Sequence, residues 1–381
     1  MMKEVETIII GGGISGLSCG RKLQDSGKKF LLITKNLGGR MLSSKNFGVD
    51  YGAAYVTSDY TNVLEYVEKQ ERFRLRDFYF FDGFNFSNIF NYKNIKYFSK
   101  IIKFFFILKS LERNLLKYRK QAPYKTIKEC FMENKVLSKY WNMSAKDFIK
   151  KNGFEELDKL YGNPITATTA FVESNKVNAA YYIGMFFCAI LPTWTVNFKH
   201  TIEKLNRGFE NKIKIASVIK VKKQKNGKFK VRTSKGDFLA KNIVFAAPEK
   251  SLSKVYNIPK PNLQQSAYTF HIVGTRRDIY QDKKAVCFRP KNHDIYMMWK
   301  QKSGADLIYS KNSKPNFKEY YERYHIIKKI HWQPGMIIPK HDLIDQNLEK
   351  NVYLASDYNL SLMEDSFLTG LYAANQIIKS S

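Results

Sequence analysis

The chain has 381 residues, with 64 Lys and Arg against 34 Asp and Glu, a formal net charge of +30 and a pI near 9.7. Hydrophobic residues make up 44% and charged residues 26%, which excludes disorder for the bulk, and a mean hydropathy of −0.40 excludes a polytopic membrane protein. Four scattered cysteines (Cys19, Cys130, Cys188, Cys287) exclude a disulfide scaffold and offer no C-x-x-C metal pair.

At roughly 150 residues per domain the chain holds two to three domains' worth of material. Residues 5–10 are apolar and lead straight into Gly11, Gly12, Gly13, Ile14, Ser15 and Gly16. From 17 to 23 the period is helical, Gly27 stops it, and 30–33 read as a second buried strand. The strand and helix around it turn this G-x-G-x-x-G from a bare pattern into a β-α-β nucleotide turn. Gly11 permits the tight turn, Gly13 lets the backbone approach a pyrophosphate, and Gly16 lets the helix pack close to the sheet. The helix start offers free N–H groups and its positive dipole end to phosphates.

Residues 60–200 read as mainly helical, aromatic and rich in Lys. Within them, 93–109 interleaves cations with large apolar residues and continues to Lys120. That pattern suits a basic amphipathic helix on an anionic membrane surface, and equally an internal helix whose lysines face water. Residues 179–196 are uncharged, but Pro192 interrupts them, so a buried helix is expected rather than a membrane span. From 213 the chain alternates as strands, with Asn226 and Gly227 expected as a two-residue hairpin turn, a further turn at Lys235 and Gly236, and a buried strand at 243–247 before Pro248. Strands and loops mix from 256 to 335, a strand is expected at 351–357, and a helix from about 363, capped by Ser361 and Glu364 as a capping box. With no internal repeat or low-complexity linker, the domains are expected to interleave.

Further stretches narrow the class. Gly38, Gly39 and Arg40 follow the second strand. Asp50, Tyr51, Gly52, Ala53, Ala54 and Tyr55 form a D-x-G-A-x-Y segment, and 243–248 form a central strand ending in Ala-Ala-Pro. Near the end come 351–357, closing on Asp357, and the run from Met363 to Gly370 with Ala373 and Ala374. In this order the stretches resemble the flavin-containing amine oxidoreductase superfamily, which includes amine oxidase-like, protoporphyrinogen oxidase-like and phytoene desaturase-like enzymes. The resemblance implies an α/β fold: a Rossmann-like FAD-binding domain from 1–60, 201–255 and 336–381, with an inserted mixed α+β substrate domain from 61–200 and 256–335. It implies FAD as cofactor, with Gly11, Gly13, Ser15 and Gly16 at the pyrophosphate, Gly38, Gly39 and Arg40 at the phosphates or flavin edge, and Gly52 and Ala53 against the isoalloxazine. Val218 would meet the adenine, Asp357 the ribityl or phosphate region, and Met363 the pyrimidine end. No Cys lies between His331 and Asp357, so the flavin is expected to be non-covalent.

Two departures stand out. The superfamily ends its second strand with an acid for the adenosine ribose, where this chain has Thr34 and Lys35, and Ser356 replaces the usual Gly before Asp357. Thr34 retains one hydrogen-bonding group, and Lys35 opens the alternative of a 2′-phosphate, as in NADP sites. For catalysis, the segment 267–274 is similar to the strand on which amine oxidases place a Lys beside the flavin, and His271 falls near that position as a proton or water handler. An alternating strand residue bonded to backbone is the competing reading, and His331 with Trp332 is read either as aromatic wall or as core.

The resemblance implies an FAD-dependent oxidoreductase passing a hydride from an amine or lipophilic small-molecule substrate to flavin N5. The alternative is a non-catalytic binding module on the same fold, as in GDI and Rab escort proteins. The Lys excess is spread over the whole chain and reads as a solvated basic surface. Without a zinc-finger, RRM or basic-zipper motif, no nucleic-acid partner is expected. Acids precede a short apolar stretch at the start, which argues against a secretory signal and for a cytoplasmic location, peripheral on the membrane if 93–120 docks there.

Overall fold

A run of β-branched residues that ends in four consecutive buried positions makes Lys3–Ile10 a central strand, β1, of an eight-stranded sheet. We describe residues 3–44, 48–261, 263–338 and 342–380 of a computed structural model. The helix α1 (Ile14–Asp25) crosses over to β2 (Phe30–Thr34), parallel to β1 with Ile8 opposite Leu31. On the other side of β1 runs Gly236–Phe245, also parallel, with Ile8 opposite Ile243, and then Val352–Leu354. The helix Met363–Lys379 packs along α1. Small residues permit the close approach: a Cβ on Gly370 would meet the Ser15 carbonyl at 2.1 Å.

A seven-stranded sheet forms the second layer, in the order Tyr321–Ile338, Leu263–Arg276, Asp306–Ser310, Ile295–Lys300, Ala285–Phe288, Phe78–Phe81, Phe86–Ser87. Helices between residues 98 and 190 cover it around a core that includes Leu108, Trp141, Phe148, Tyr182 and Phe187. A three-stranded sheet of Val56–Thr57, Thr193–Val196 and Lys69–Phe73 lies on the crossing segments between the two regions. The architecture is α/β, a Rossmann-like unit with a mixed α+β region carried by segments inserted into it. Strand Tyr321–Ile338 runs from the second sheet past residue 336, so the chain changes region within one strand.

Three local expectations are corrected. The hairpin after Val218–Lys223 closes on Gln224 and Lys228 with three loop residues, not two. Gly227 takes the positive φ of 78° that ends such a loop. Ser361 and Glu364 form no capping box. The residue before the helix is Leu362, with no side-chain cap. Ser361 Oγ instead donates to Ile337 O at 2.6 Å, and the Glu364 carboxylate accepts from the backbone N–H groups of Thr61, Asn62 and Val63 at 2.8–2.9 Å. Residues 179–196 break into helices Ala179–Met185 and Phe187–Ile190 and strand Thr193–Val196, and among the described residues no helix is long and apolar enough to cross a membrane.

Candidate cofactor site

The strand ends of the first sheet open into a cavity of about 920 Å³ that continues to the face of the second sheet. At one end is the glycine turn. Gly11 has φ +123°, and a Cβ there would meet Ala246 O at 2.2 Å, so only glycine lets β1 and strand Gly236–Phe245 end side by side. A Cβ on Gly16 would strike Gly11 O at 2.0 Å, so Gly16 serves helix–turn packing and does not line the cavity. Gly13 is the opposite case: nothing lies within 4 Å of where its Cβ would be, and the residue lines the cavity. Its open side is a cradle that a ligand can fill. Gly13 is also the N-cap of α1 without a side-chain cap, and Ser15 follows in the cavity wall. The second uncapped helix start, at Leu362 and Met363, lines the same cavity. Two helix dipoles thus point their positive ends into one space, which suits a ligand with anionic groups.

Gly38 and Gly39 carry the chain back over the turn, with Gly38 N–H donating to Gly12 O at 2.7 Å. They deliver Arg40, whose guanidinium donates to Asp357 Oδ2 at 2.6 Å and to Gly335 O at 3.0 Å. Arg40 and Asp357 both line the cavity. The Ser356 hydroxyl beside them is buried with no hydrogen-bond partner among the described residues, although Ser356 also lines the cavity, so a polar ligand group could satisfy it. In mid-cavity, Gly52 packs against the indole of Trp332, and Ala53 follows it in the wall. A Cβ on Gly52 would lie 2.1 Å from Arg40 O and 3.2 Å from the Trp332 ring. Trp332 is held by donating from Nε1 to Thr269 Oγ1 at 3.0 Å and to Tyr51 O at 3.2 Å. At the adenosine end the structure places Thr34, Lys35 and Val218 in the wall. The Thr34 hydroxyl donates to Asn36 O at 2.7 Å, which leaves it only acceptor capacity toward a ribose. Lys250 and Lys254 line the cavity as well, and Asp357 is the one carboxylate among the described lining residues.

The far end is apolar and aromatic. Phe73, Phe171, Met185, Met297, Trp299 and Tyr309 line it, with the Phe73 and Trp299 rings 4.5 Å apart edge-on. Its protic groups remain protonated at neutral pH: burial pushes the Tyr55 and Tyr309 hydroxyls well above the usual phenol range, and the Cys188 thiol up to about 11. Sequence reasoning singled out none of Trp299, Tyr309 and Phe171, because nothing in their spacing marks them as neighbours.

His271 is a correction. It is fully buried, does not line the cavity, and its Nδ1 lies 3.2 Å from Tyr51 Oη. No residue of its strand reaches the cavity wall, to which the second sheet contributes from strands Phe78–Phe81, Ile295–Lys300, Asp306–Ser310 and Tyr321–Ile338. Burial lowers the imidazole's pKa and favours the neutral ring. Residues 93–120 contribute nothing to the described cavity lining.

The fold and this turn define an α/β protein built on a Rossmann-like dinucleotide-binding unit. Residues 9–69 match the NAD(P)-binding Rossmann-like domain family. Among solved structures the chain is similar to putrescine oxidase bound to putrescine, at 12% identity, 99% coverage of both chains and a TM-score of 0.67. It is similar to a fatty acid isomerase producing CLA from P. acnes, at 14% identity, 98% coverage of both chains and a TM-score of 0.68. It is also similar to cyclohexylamine oxidase from Brevibacterium oxydans IH-35A, at 14% identity, 99% coverage of both chains and a TM-score of 0.66. These likenesses extend over essentially the whole chain and are likenesses of fold. Comparison with curated protein sequences finds no match.

Proposed function

We propose that the protein is an FAD-dependent oxidoreductase that holds its flavin without a covalent bond and acts on an apolar amine or lipophilic small molecule. The observation that carries this reading is the continuity of one cavity from the glycine turn, past Arg40, Gly52 and Trp332, to an aromatic chamber. The residues present fit FAD: a cradle at Gly13, two helix starts and Arg40 for the pyrophosphate, and the adjoining wall of Gly52, Ala53 and Trp332 for a flat ring. When bound, FAD supplies the hydride acceptor. The chain's own part is to bind, orient and keep the chamber dry.

Among the described lining residues the chamber has no carboxylate, and Asp357, nearer the glycine turn, is paired with Arg40. An ammonium ion would find no counter-ion there, so an amine would enter as the neutral base, and an uncharged lipid would enter equally well. Tyr55 and Tyr309 stay protonated and can donate hydrogen bonds to a substrate heteroatom. The protonated Cys188 thiol is a poor nucleophile, which supports a flavin that is not linked through sulfur. Purified protein should show flavin absorbance in the visible range, released by heat or acid, and a substrate should bleach it when added anaerobically. Colourless protein that FAD cannot reconstitute would overturn the enzyme reading and favour a binding module on this fold.

A further inference from the structure

The helix α2 (Phe98–Gln121) has two unlike sides. Leu108, Leu111, Leu115 and Tyr118 are buried in the helical core. On the far side, Phe98, Ile102, Phe106, Lys109, Arg113, Lys117 and Lys120 recur at steps of three or four residues, which on an α-helix is a single stripe. Its first half is apolar and bare: Phe98 is 62% and Phe106 67% exposed. Its second half is basic, and Glu112, bonded to Lys109 Nζ at 2.6 Å, is the one acid in the helix. The turn leading into the helix adds Ile95, 81% exposed, and earlier in the chain Phe84 is 91% exposed at the tip of the hairpin between Phe78–Phe81 and Phe86–Ser87. Asp82 Oδ1 accepts from the N–H groups of Phe84 and Asn85 at 2.9 and 2.8 Å, so the tip is a formed turn. The side chain of Lys93 lies outside those described.

We propose that this face, residues 84–120, docks the protein on an anionic lipid bilayer, with the aromatic end entering the acyl region and the cationic end resting on the headgroups. The lengthwise order of apolar and basic residues matches the depth profile of such a surface. A second copy of the chain is the wrong occupant, because two like cationic stripes on chains of net charge +30 would repel. Arg119 is no part of the face: it is fully buried on Asp59 and Asp365.

The test is flotation with vesicles of phosphatidylcholine alone and of phosphatidylcholine mixed equally with phosphatidylglycerol. The protein should float with the mixed vesicles only, and a fraction should stay bound in high salt, because apolar insertion is not screened. Replacing Phe98, Ile102 and Phe106 by Ser should remove the salt-resistant fraction. Replacing Arg113, Lys117 and Lys120 by Gln should weaken binding roughly hundredfold, at about tenfold or less per charge. Phe98, Ile102, Phe106, Arg113, Lys117 and Lys120 are all exposed, so melting curves of the variants should overlay that of the wild type. Protein left at the bottom with both lipids overturns the proposal, as does equal flotation with both. So does full release in high salt with the serine variant binding like wild type, which would leave only diffuse attraction of a basic chain. A dimer in sedimentation that the serine substitutions split, without flotation, assigns the face to a second copy and also overturns it.

Discussion

Arg40 and Asp357 lie 317 positions apart and meet through a 2.6 Å charge-assisted hydrogen bond at the cavity wall. One follows the second strand of the nucleotide unit and the other follows the strand Val352–Leu354, so the pair ties together the two ends of the chain that frame the cavity. A second guanidinium nitrogen is anchored on Gly335 O, which fixes the plane of the group and leaves its remaining donors for a phosphate or a ring oxygen.

Gly13→Val separates binding from folding. Its Cβ direction is empty, so the substitution should leave the melting temperature nearly unchanged while eliminating flavin from the purified protein. Absorbance of the released cofactor and a melting curve check the two halves.

Thr34→Glu places a carboxylate where the ribose hydroxyls are expected. It should tighten FAD binding by roughly 1.5–3 kcal/mol, the range for hydrogen bonds to a charged group. Fluorescence titration of the apoprotein measures this. An unchanged affinity would show that the ribose lies elsewhere. NADP binding that Lys35→Glu removes would instead assign a 2′-phosphate to this end.

Arg119→Met should destabilise the protein by about 3–5 kcal/mol, because it leaves Asp59 and Asp365 buried without their cation. Chemical denaturation of the two proteins, compared at equal slope, gives the difference. A change below about 1 kcal/mol would mean that the carboxylates reach water.

Asp50 accepts a short hydrogen bond from Ser43, yet burial pushes its carboxyl up to about 7. The folded state therefore holds a proton that the unfolded state releases near pH 4, and stability from this group falls as pH rises from about 4 to 7, then levels off. Asp50→Asn keeps an acceptor for Ser43 and removes the charge. It should stabilise the protein above pH 7 by on the order of 1–3 kcal/mol and have little effect near pH 4. Melting temperatures across this range check the sign.

His271→Ala should lower stability by about 1–3 kcal/mol through lost packing, and leave the rate of flavin reduction by a substrate within a few-fold of wild type. A rate loss of a hundredfold or more at unchanged substrate affinity would restore a role for the imidazole in the reaction.

The nucleotide turn was legible because its determinants are local: β1, Gly11, Gly13, Gly16 and α1 lie within one short stretch, Gly11 and Gly16 answer to contacts within a few residues or on the adjoining strand, and Gly13 faces the open cavity. The same holds for the α/β pattern and for the break at Pro192. What the sequence could not determine depends on partners brought from far along the chain. Glu364 reads as the end of a capping box, but three N–H groups of residues 61–63 lie opposite it and take the carboxylate. Arg119 reads as one more surface cation of α2, until Asp59 and Asp365 enclose it. His271 depends on which face of its strand each residue occupies, and the pairing of Leu263–Arg276 with Tyr321–Ile338 shifts register three times, once between His271 and Ile272. The last two of these shifts are by one residue and exchange the faces of the paired strand, so alternation along the sequence no longer tells which side chains meet the cavity. The aromatic chamber was invisible for the same reason: Phe73, Phe171, Trp299 and Tyr309 come from separate segments, and only the packing of the second sheet on its helices makes them one surface.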